Sequence, residues 1–485
     1  MMKALRQSFL LLLLAVAGCA TNPVTGEQDI VFMSEQQEID IGRQSHAEIL
    51  QTFGEYDDPE LQRYVERIGK RLAAESHRSE LIYRFTVLDS KDVNAFALPG
   101  GYIYITRGLL AYLNDEASLA AVLGHEIAHV TARHGVQQYS AAQMTNIGAT
   151  LGAIFVPGMN NAAAGQLVNV LSSAILSGYG REHELEADRL GAVYLARNGY
   201  DPERILDVLG VLKDQSQFAA EIARAEGREP NSYHGLFASH PDNDTRLQEV
   251  VGTARSLQTD AQSVVGRDQF LQLIDGLVYG DSTREGVVRG NTLYHPDLGF
   301  ALKFPRDWRI DNRPSQVIAT APNGGAQLVL QAEDLGKRIA PRDYLRQQVQ
   351  PPNVSAEQAL QINGLPAYTM RSRINTQAGN RPARFTTVFF RDKAYTLIGI
   401  NKDDQRDYDA AFLDSARSFH GLTPNEEQLA QPLRLAIMQP EDDTTYADLA
   451  RRSPLEHFAE QRLRLLNGDY PDSNIQSGRR LKVVQ

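Results

Sequence analysis

Gly124-His125-Glu126-Ile127-Ala128-His129 places two imidazoles four residues apart, with a carboxylate beside the first. On a helix, such positions share a face one turn apart. Two imidazoles so placed can hold one Zn2+ at about 2.0–2.1 Å. Glu126 stands next to that position without being needed as a ligand, which suits a general base acting on water activated by the metal. The bland alternative is two surface histidines on an amphipathic helix. Leu119, Val122, Leu123, Ile127 and Val130 surround the pair and argue against exposure. A catalytic zinc also needs a third protein ligand and one open position. Glu184-Leu185-Glu186-Ala187-Asp188 begins a second helical segment. Its Glu184 and Asp188 share a face, so Glu184 is the expected third ligand. Asp188 is expected to accept a hydrogen bond from a ligand imidazole and fix its tautomer. Glu182 and Glu186 are rival ligands by residue type; they point to other faces and read as surface charges. Ser239-His240-Pro241 with Arg246 puts a His and an Arg near a helix start. Either can donate to a developing oxyanion, although a lone histidine beside proline is more often a turn residue.

Composition narrows the chemistry. The 485 residues carry 49 Lys+Arg against 60 Asp+Glu, a formal charge of −11, which gives no electrostatic reason to bind nucleic acid. A single Cys excludes an intrachain disulfide framework and any multi-Cys zinc ribbon, so a metal site must use imidazole and carboxylate. That Cys follows a secretory-type segment over residues 1–18. Lys3 and Arg6 precede the apolar run Phe9 to Ala15, which is too short to span a bilayer. Val16-Ala17-Gly18-Cys19 resembles the bacterial lipobox, which implies cleavage before Cys19 and its acylation. Ala20 in the next position implies the periplasmic face of the outer membrane.

The elements that must position the metal residues follow from periodicity. Ser34 to Leu50 and Glu60 to Ala74 have helical spacing, Ser34 being a cap with Gln37 three residues on. Leu81 to Leu88, Phe96 to Ala97 and Tyr102 to Thr106 read as strands, the last two flanking the turn Pro99-Gly100-Gly101. Asn114 to Arg133 reads as a helix capped by Asn114. Gly135 to Gly180 contains no Asp, Glu, Lys or Arg. It reads as a buried helical hairpin, with a lid over the site or a membrane-touching hairpin as alternatives. Glu182 to Asn198 is again helical, and Gln269 to Val278 reads as a connector helix. From Thr292 to Phe419 the pattern changes to strands and turns closed by a helix over Asp407 to Ser418. Thr423 to Pro440 reads as a linker before a small C-terminal module. The expected class is α+β multidomain.

The peptidase-like region resembles the zinc metallopeptidase family that includes the CAAX prenyl endopeptidases, HtpX and BepA. The matching strings are Asn94 to Gly101, the His125–His129 box, Arg181 with Glu184 to Asp188, and Ser239-His240-Pro241 with Arg246. The resemblance implies a mostly helical zincin-type domain with one Zn2+ held by His125, His129 and Glu184, and Glu126, His240 and Arg246 as catalytic groups. It also implies a strand at Tyr102 to Thr106 that pairs at its edge with extended substrate. It favours the lipoprotein branch, in which unfolded or misassembled envelope proteins are substrates, the bilayer is met through Cys19, and outer-membrane assembly machinery or peptidoglycan are further partners. An assembly scaffold with a latent site is the competing reading; a cell-wall hydrolase is a weaker third. The expected organisation is a signal peptide over 1–18, a peptidase domain over 19–262 and a helical connector over 263–290. A module resembling PsbP follows over 291–421, and a LysM-like βααβ module over 441–485. That last module lacks the usual leading Gly-Asp-Thr, having Asp442-Asp443-Thr444 instead.

Overall fold

In the computed structural model the described residues are 19–26, 28–31, 33–147, 179–227, 240, 243–258, 263–336, 338–376, 379–402 and 406–485. The secretory-type segment 1–18, residues 148–178 of the charge-free stretch, and Ser239, Pro241 and Asp242 of the third motif lie outside them. The chain divides into two units, Met1–Tyr279 with Arg434–Gln485, and Gly280–Leu433. Both mix helices with sheets, an α+β architecture.

In the first unit, β1 (Cys19–Thr21) pairs antiparallel with β2 (Gln28–Ile30). Helix α1 (Glu35–Phe53) starts at a reciprocal capping box: Gln37 N donates to the Ser34 hydroxyl, and Ser34 N donates to the Gln37 side chain. Helix α2 (Pro59–Ala74) is capped by Asp58 and buries Leu61, Val65, Ile68 and Leu72, one stripe at helical spacing. The stripe lies on a three-stranded sheet of β3 (Arg84–Leu88), β4 (Ala95–Leu98) and β5 (Tyr102–Thr106). Strand β5 is the middle strand, parallel to β3 and antiparallel to β4. The expectation that Tyr102 to Thr106 forms an edge is therefore corrected: both its sides are already hydrogen-bonded, and β4 is the edge strand on the side of the metal-box helix. The β4–β5 turn needs its glycines, since Gly100 and Gly101 have φ of 78° and 87°.

Helix α3 (Arg107–Tyr112) leads into α4 (Glu116–Thr131), every residue of which is buried. Its cap is Asp115, not Asn114, because Asp115 Oδ1 accepts from Ser118 N at 2.8 Å while the Asn114 amide bonds Tyr112 O. Then follow α5 (His134–Ile147), α6 (Arg181–Arg197), α7 (Arg204–Ala225), α8 (Asn243–Ser256), α9 (Arg267–Leu273) and β6 (Val278–Tyr279). The expected connector helix is thus shorter, ending at Leu273. The span read as a linker contains a helix, Pro424–Leu429, and a strand, Leu433–Met438, which sits between β6 and Leu481–Val484. Its pairing partner Leu277 is far off in sequence, so local pattern could not reveal it. Helices Tyr446–Arg452 and Ala459–Asn467 complete a βααβ order at the C-terminus. This segment is fastened to α3: buried Lys482 donates through Nζ to Ala111 O and Leu113 O, both at 2.7 Å.

The second unit is antiparallel throughout. Seven strands run Arg309–Arg313, Gln316–Thr320, Ala326–Asp334, Lys393–Asn401, Gly379–Phe390, Leu365–Thr376 and Glu357–Ile362 in sheet order. A second, four-stranded sheet contains Phe300–Lys303 and Thr292–His295. Helix Asp409–Arg417 packs Phe412 against Gly399, where any Cβ would collide with the ring. Trp308 is a core residue, edge-on to Tyr408 and Phe412. Buried His295 accepts a hydrogen bond from Leu298 N on Nδ1, and burial pushes its pKa down to about 4. The unfolded chain takes up that proton near pH 6.5, so this contribution is present above pH 6.5 and is lost as pH falls towards 4. The expected loss is roughly 3 kcal/mol at pH 4 relative to pH 7. Unfolding curves of wild type and His295→Phe across that range check it: the variant should show a shallower decline, and parallel declines would refute the assignment.

Candidate metal centre

Two backbones come close enough at one point to make a buried polar site. Helices α4 and α6 cross where Gly124 faces Gly191, and a Cβ on Gly191 would stand 3.2 Å from His125 N. The crossing brings α4's imidazoles onto α6's carboxylates. His125 Nε2 and His129 Nε2 are 3.0 Å apart, and they lie 3.6 and 3.5 Å from the oxygens of Glu184. Ligands about 2.0–2.1 Å from one tetrahedral zinc stand about 3.3–3.4 Å from each other, so this donor set fits Zn2+. His240 joins it: Nδ1 is 2.9 Å from Glu184 Oε1 and 3.2 Å from His125 Nε2. All four residues are buried, and one donor atom from each lies within 4.8 Å of the others.

The surroundings decide the charges. Arg246 Nε and Nη2 donate to the two oxygens of Asp188, each at 2.7 Å, and Nη1 lies 2.8 Å from Glu184 Oε2. Asp188 Oδ1 lies 2.9 Å from His125 Nδ1. Burial alone would raise both carboxyls, but Arg246 with the neighbouring histidines holds Asp188 below and Glu184 well below the usual carboxylate range. Burial would likewise lower His125, yet Asp188 and Glu184 lift it to about 9. Burial and the His125 charge push His129 well below the usual imidazole range. Burial raises Glu126, opposed in part by His240 and His125. Among the described residues, Glu126 Oε2 and His240 Nε2 are buried without a hydrogen-bonding partner. Both residues line a small pocket together with the apolar side chains of Val122, Ile205, Val208, Leu209 and Leu212.

The structure therefore brings His125, Glu126, His129, Glu184, Asp188, His240 and Arg246 into one cluster, and the backbone of Cys19 belongs to β1. Arg246 departs from the oxyanion-donor expectation. Its guanidinium is committed to Asp188 and Glu184, which cannot be ionised in a buried crossing without a countercharge. Glu186 is not a plain surface charge: its Oε2 lies 3.2 Å from His134 Nε2, and that hydrogen bond lowers its pKa. Sequence reasoning missed His134, whose Nδ1 is 2.9 Å from His129 Nδ1, and Tyr179, stacked on His129 at 4.0 Å. His134 lies off the i, i+4 face. Only the left-handed Arg133 (φ 59°) turns the chain back to deliver it.

Residues 59–254 match the sequence model of peptidase family M48. Those residues are similar to M48 peptidase domains. The M48 family uses zinc, in agreement with the His-His-Glu-His donor set. Among curated relatives, a beta-barrel assembly-enhancing protease of Yersinia pestis is 29% identical over 214 residues, covering 41% of this chain and 40% of the relative. The mitochondrial metalloendopeptidase OMA1 of Schizosaccharomyces pombe is 30% identical over 184 residues, 37% of this chain and 53% of the relative. The chain thus spans about 40% of the barrel-assembly relative it matches. Among solved structures, cyanobacterial PsbP from Synechocystis sp. is similar over 30% of this chain and 98% of its own, at 16% identity and TM-score 0.23. So loose a superposition decides nothing about either unit.

The charge balance at the crossing of α4 and α6 gives a stability test. Arg246→Ala leaves Asp188 and Glu184 buried without their cation, and the expected loss is about 3–5 kcal/mol. Equilibrium unfolding measures it. A loss below about 1 kcal/mol would show that the two carboxylates do not depend on Arg246.

Proposed function

We propose that this chain is a lipid-anchored zinc metalloendopeptidase acting on misfolded or stalled envelope proteins at the periplasmic face of the outer membrane. The observation that carries the chemistry is the pair of buried atoms, Glu126 Oε2 and His240 Nε2, that have no hydrogen-bond partner among the described residues and lie beside the donor set. His125, His129 and Glu184 hold the metal, and Asp188 and Arg246 fix the first imidazole and the carboxylate. When bound, Zn2+ supplies Lewis acidity to water and to the scissile carbonyl. Glu126 takes a proton from the attacking water on Oε2 and later gives it to the leaving amine. Its burial makes the carboxylate a stronger base than an exposed one. His240 Nε2, 3.4 Å from Glu126 Oε1, donates to the developing oxyanion.

The substrate class rests on the relatives named beta-barrel assembly-enhancing protease. The anchor rests on the lipobox-like string ending at Cys19. No described helix is long and apolar enough to cross a membrane. A second reading, an assembly scaffold with a latent site, is favoured by His240 Nδ1 lying among the metal donors. In that state His240 fills the position a peptide carbonyl needs, and it must leave before cleavage.

Two variants test these readings. Glu126→Gln should retain one zinc per chain and lose about 10²–10⁴-fold in cleavage of an unfolded protein substrate; undiminished proteolysis would sink the mechanism. If the same variant rescues every phenotype of a deletion, scaffolding dominates. Cys19→Ser should abolish labelling by a fatty-acid analogue and release the chain from the membrane fraction. Persistent labelling would remove the anchor from this account.

A further inference from the structure

The two ligand imidazoles are backed differently. On the outer side of His125 stands a carboxylate, Asp188, 2.9 Å from Nδ1. On the outer side of His129 stands another imidazole. His134 Nδ1 is 2.9 Å from His129 Nδ1, and His134 Nε2 is 3.2 Å from Glu186 Oε2. His134 is fully buried and stacks on His183 at 4.3 Å with planes 18° apart.

We propose that His134 and Glu186 form a two-step hydrogen-bonded brace that sets the tautomer and orientation of His129 and thereby the affinity of the zinc site. The inference rests on the reading of His125, His129 and Glu184 as the zinc-holding set. The protons can be placed in one way. A ligand His129 presents an unprotonated Nε2 to the metal, so its proton sits on Nδ1. Two facing nitrogens at 2.9 Å need one donor and one acceptor, so His134 Nδ1 accepts. His134 Nε2 is then the donor that faces Glu186 Oε2 at 3.2 Å. A single chain of donors runs from His129 to an acidic residue on α6. That helix then supplies one zinc ligand, Glu184, and the end of both braces, Asp188 and Glu186. His134 and Glu186 are positioning residues, because they touch neither metal nor substrate.

Local geometry supports a built arrangement. Arg133 adopts φ 59°, a conformation uncommon for a residue with a side chain. Glu38 Oε2 and Met33 O hold its guanidinium at 3.1 and 3.2 Å. This reversal directly after α4 places His134 against the outer nitrogen of His129, where a continued helix would carry it elsewhere.

The test measures zinc dissociation constants by chelator competition on the purified full chain, with circular dichroism as a check of folding. His134→Phe keeps an aromatic ring on His183 but accepts no proton, and zinc binding should weaken about 10–100-fold. His134→Gln offers an amide oxygen to His129 Nδ1 and should recover most of that loss. Glu186→Ala should weaken binding in the same direction. Equal zinc affinity of wild type and His134→Phe overturns the proposal, as does a Gln variant no tighter than the Phe variant, which would mean a packing role alone. Wild type and Glu126→Gln that both fail to take up zinc would instead overturn the reading of the metal site itself.

Discussion

Two carboxylates buried where α4 crosses α6 set the terms for everything around them. Glu184 and Asp188 have no solvent to stabilise their charge. An unpaired ion there would cost several kcal/mol. Arg246 answers with a bidentate fork on Asp188 and a third contact to Glu184, and the histidines of α4 supply the rest. The same arrangement that makes the ions tolerable leaves Glu184 deprotonated and facing two imidazole nitrogens at metal-ligand spacing. Stability and metal binding are here two consequences of one charge balance.

A helix carrying such a site must be held rigidly, and α4 is held at both ends by buried acids. At its start, Glu116 accepts hydrogen bonds from Tyr64 and Tyr200, both at 2.6 Å. Just beyond its end, Arg133 donates to Glu38 on α1, and Arg78 shares that carboxylate at 2.9 Å. Glu38 therefore fixes the reversal after α4 and, through Gly100 N at 3.4 Å, lies by the β4–β5 turn. The C-terminal segment adds a further constraint. Lys482 docks its last strand on the end of α3, and Phe458 and Tyr470 pack edge-on to Phe218 of α7. Helix α7 also contributes apolar side chains to the pocket beside Glu126. Residues more than two hundred positions away thus help to shape the site.

Much of this was legible in the chain itself, for physical reasons. The spacing of His125 and His129 carries the helical period, the cap at Ser34 and the turn at Pro99-Gly100-Gly101 are local chemistry, and the change to a strand-and-turn pattern from Thr292 to Phe419 marks the β-rich second unit. The sequence by itself determined the donor types, because one Cys leaves only imidazole and carboxylate, and it determined which two helices would bear them. Tertiary structure alone decided the partnerships. That Arg246 clamps carboxylates, that Glu186 meets His134, that β5 is central and that Leu433–Met438 pairs near Leu277 all depend on chain segments brought together from a distance. Periodicity reports which face of an element is buried; it carries no information about what that face will touch.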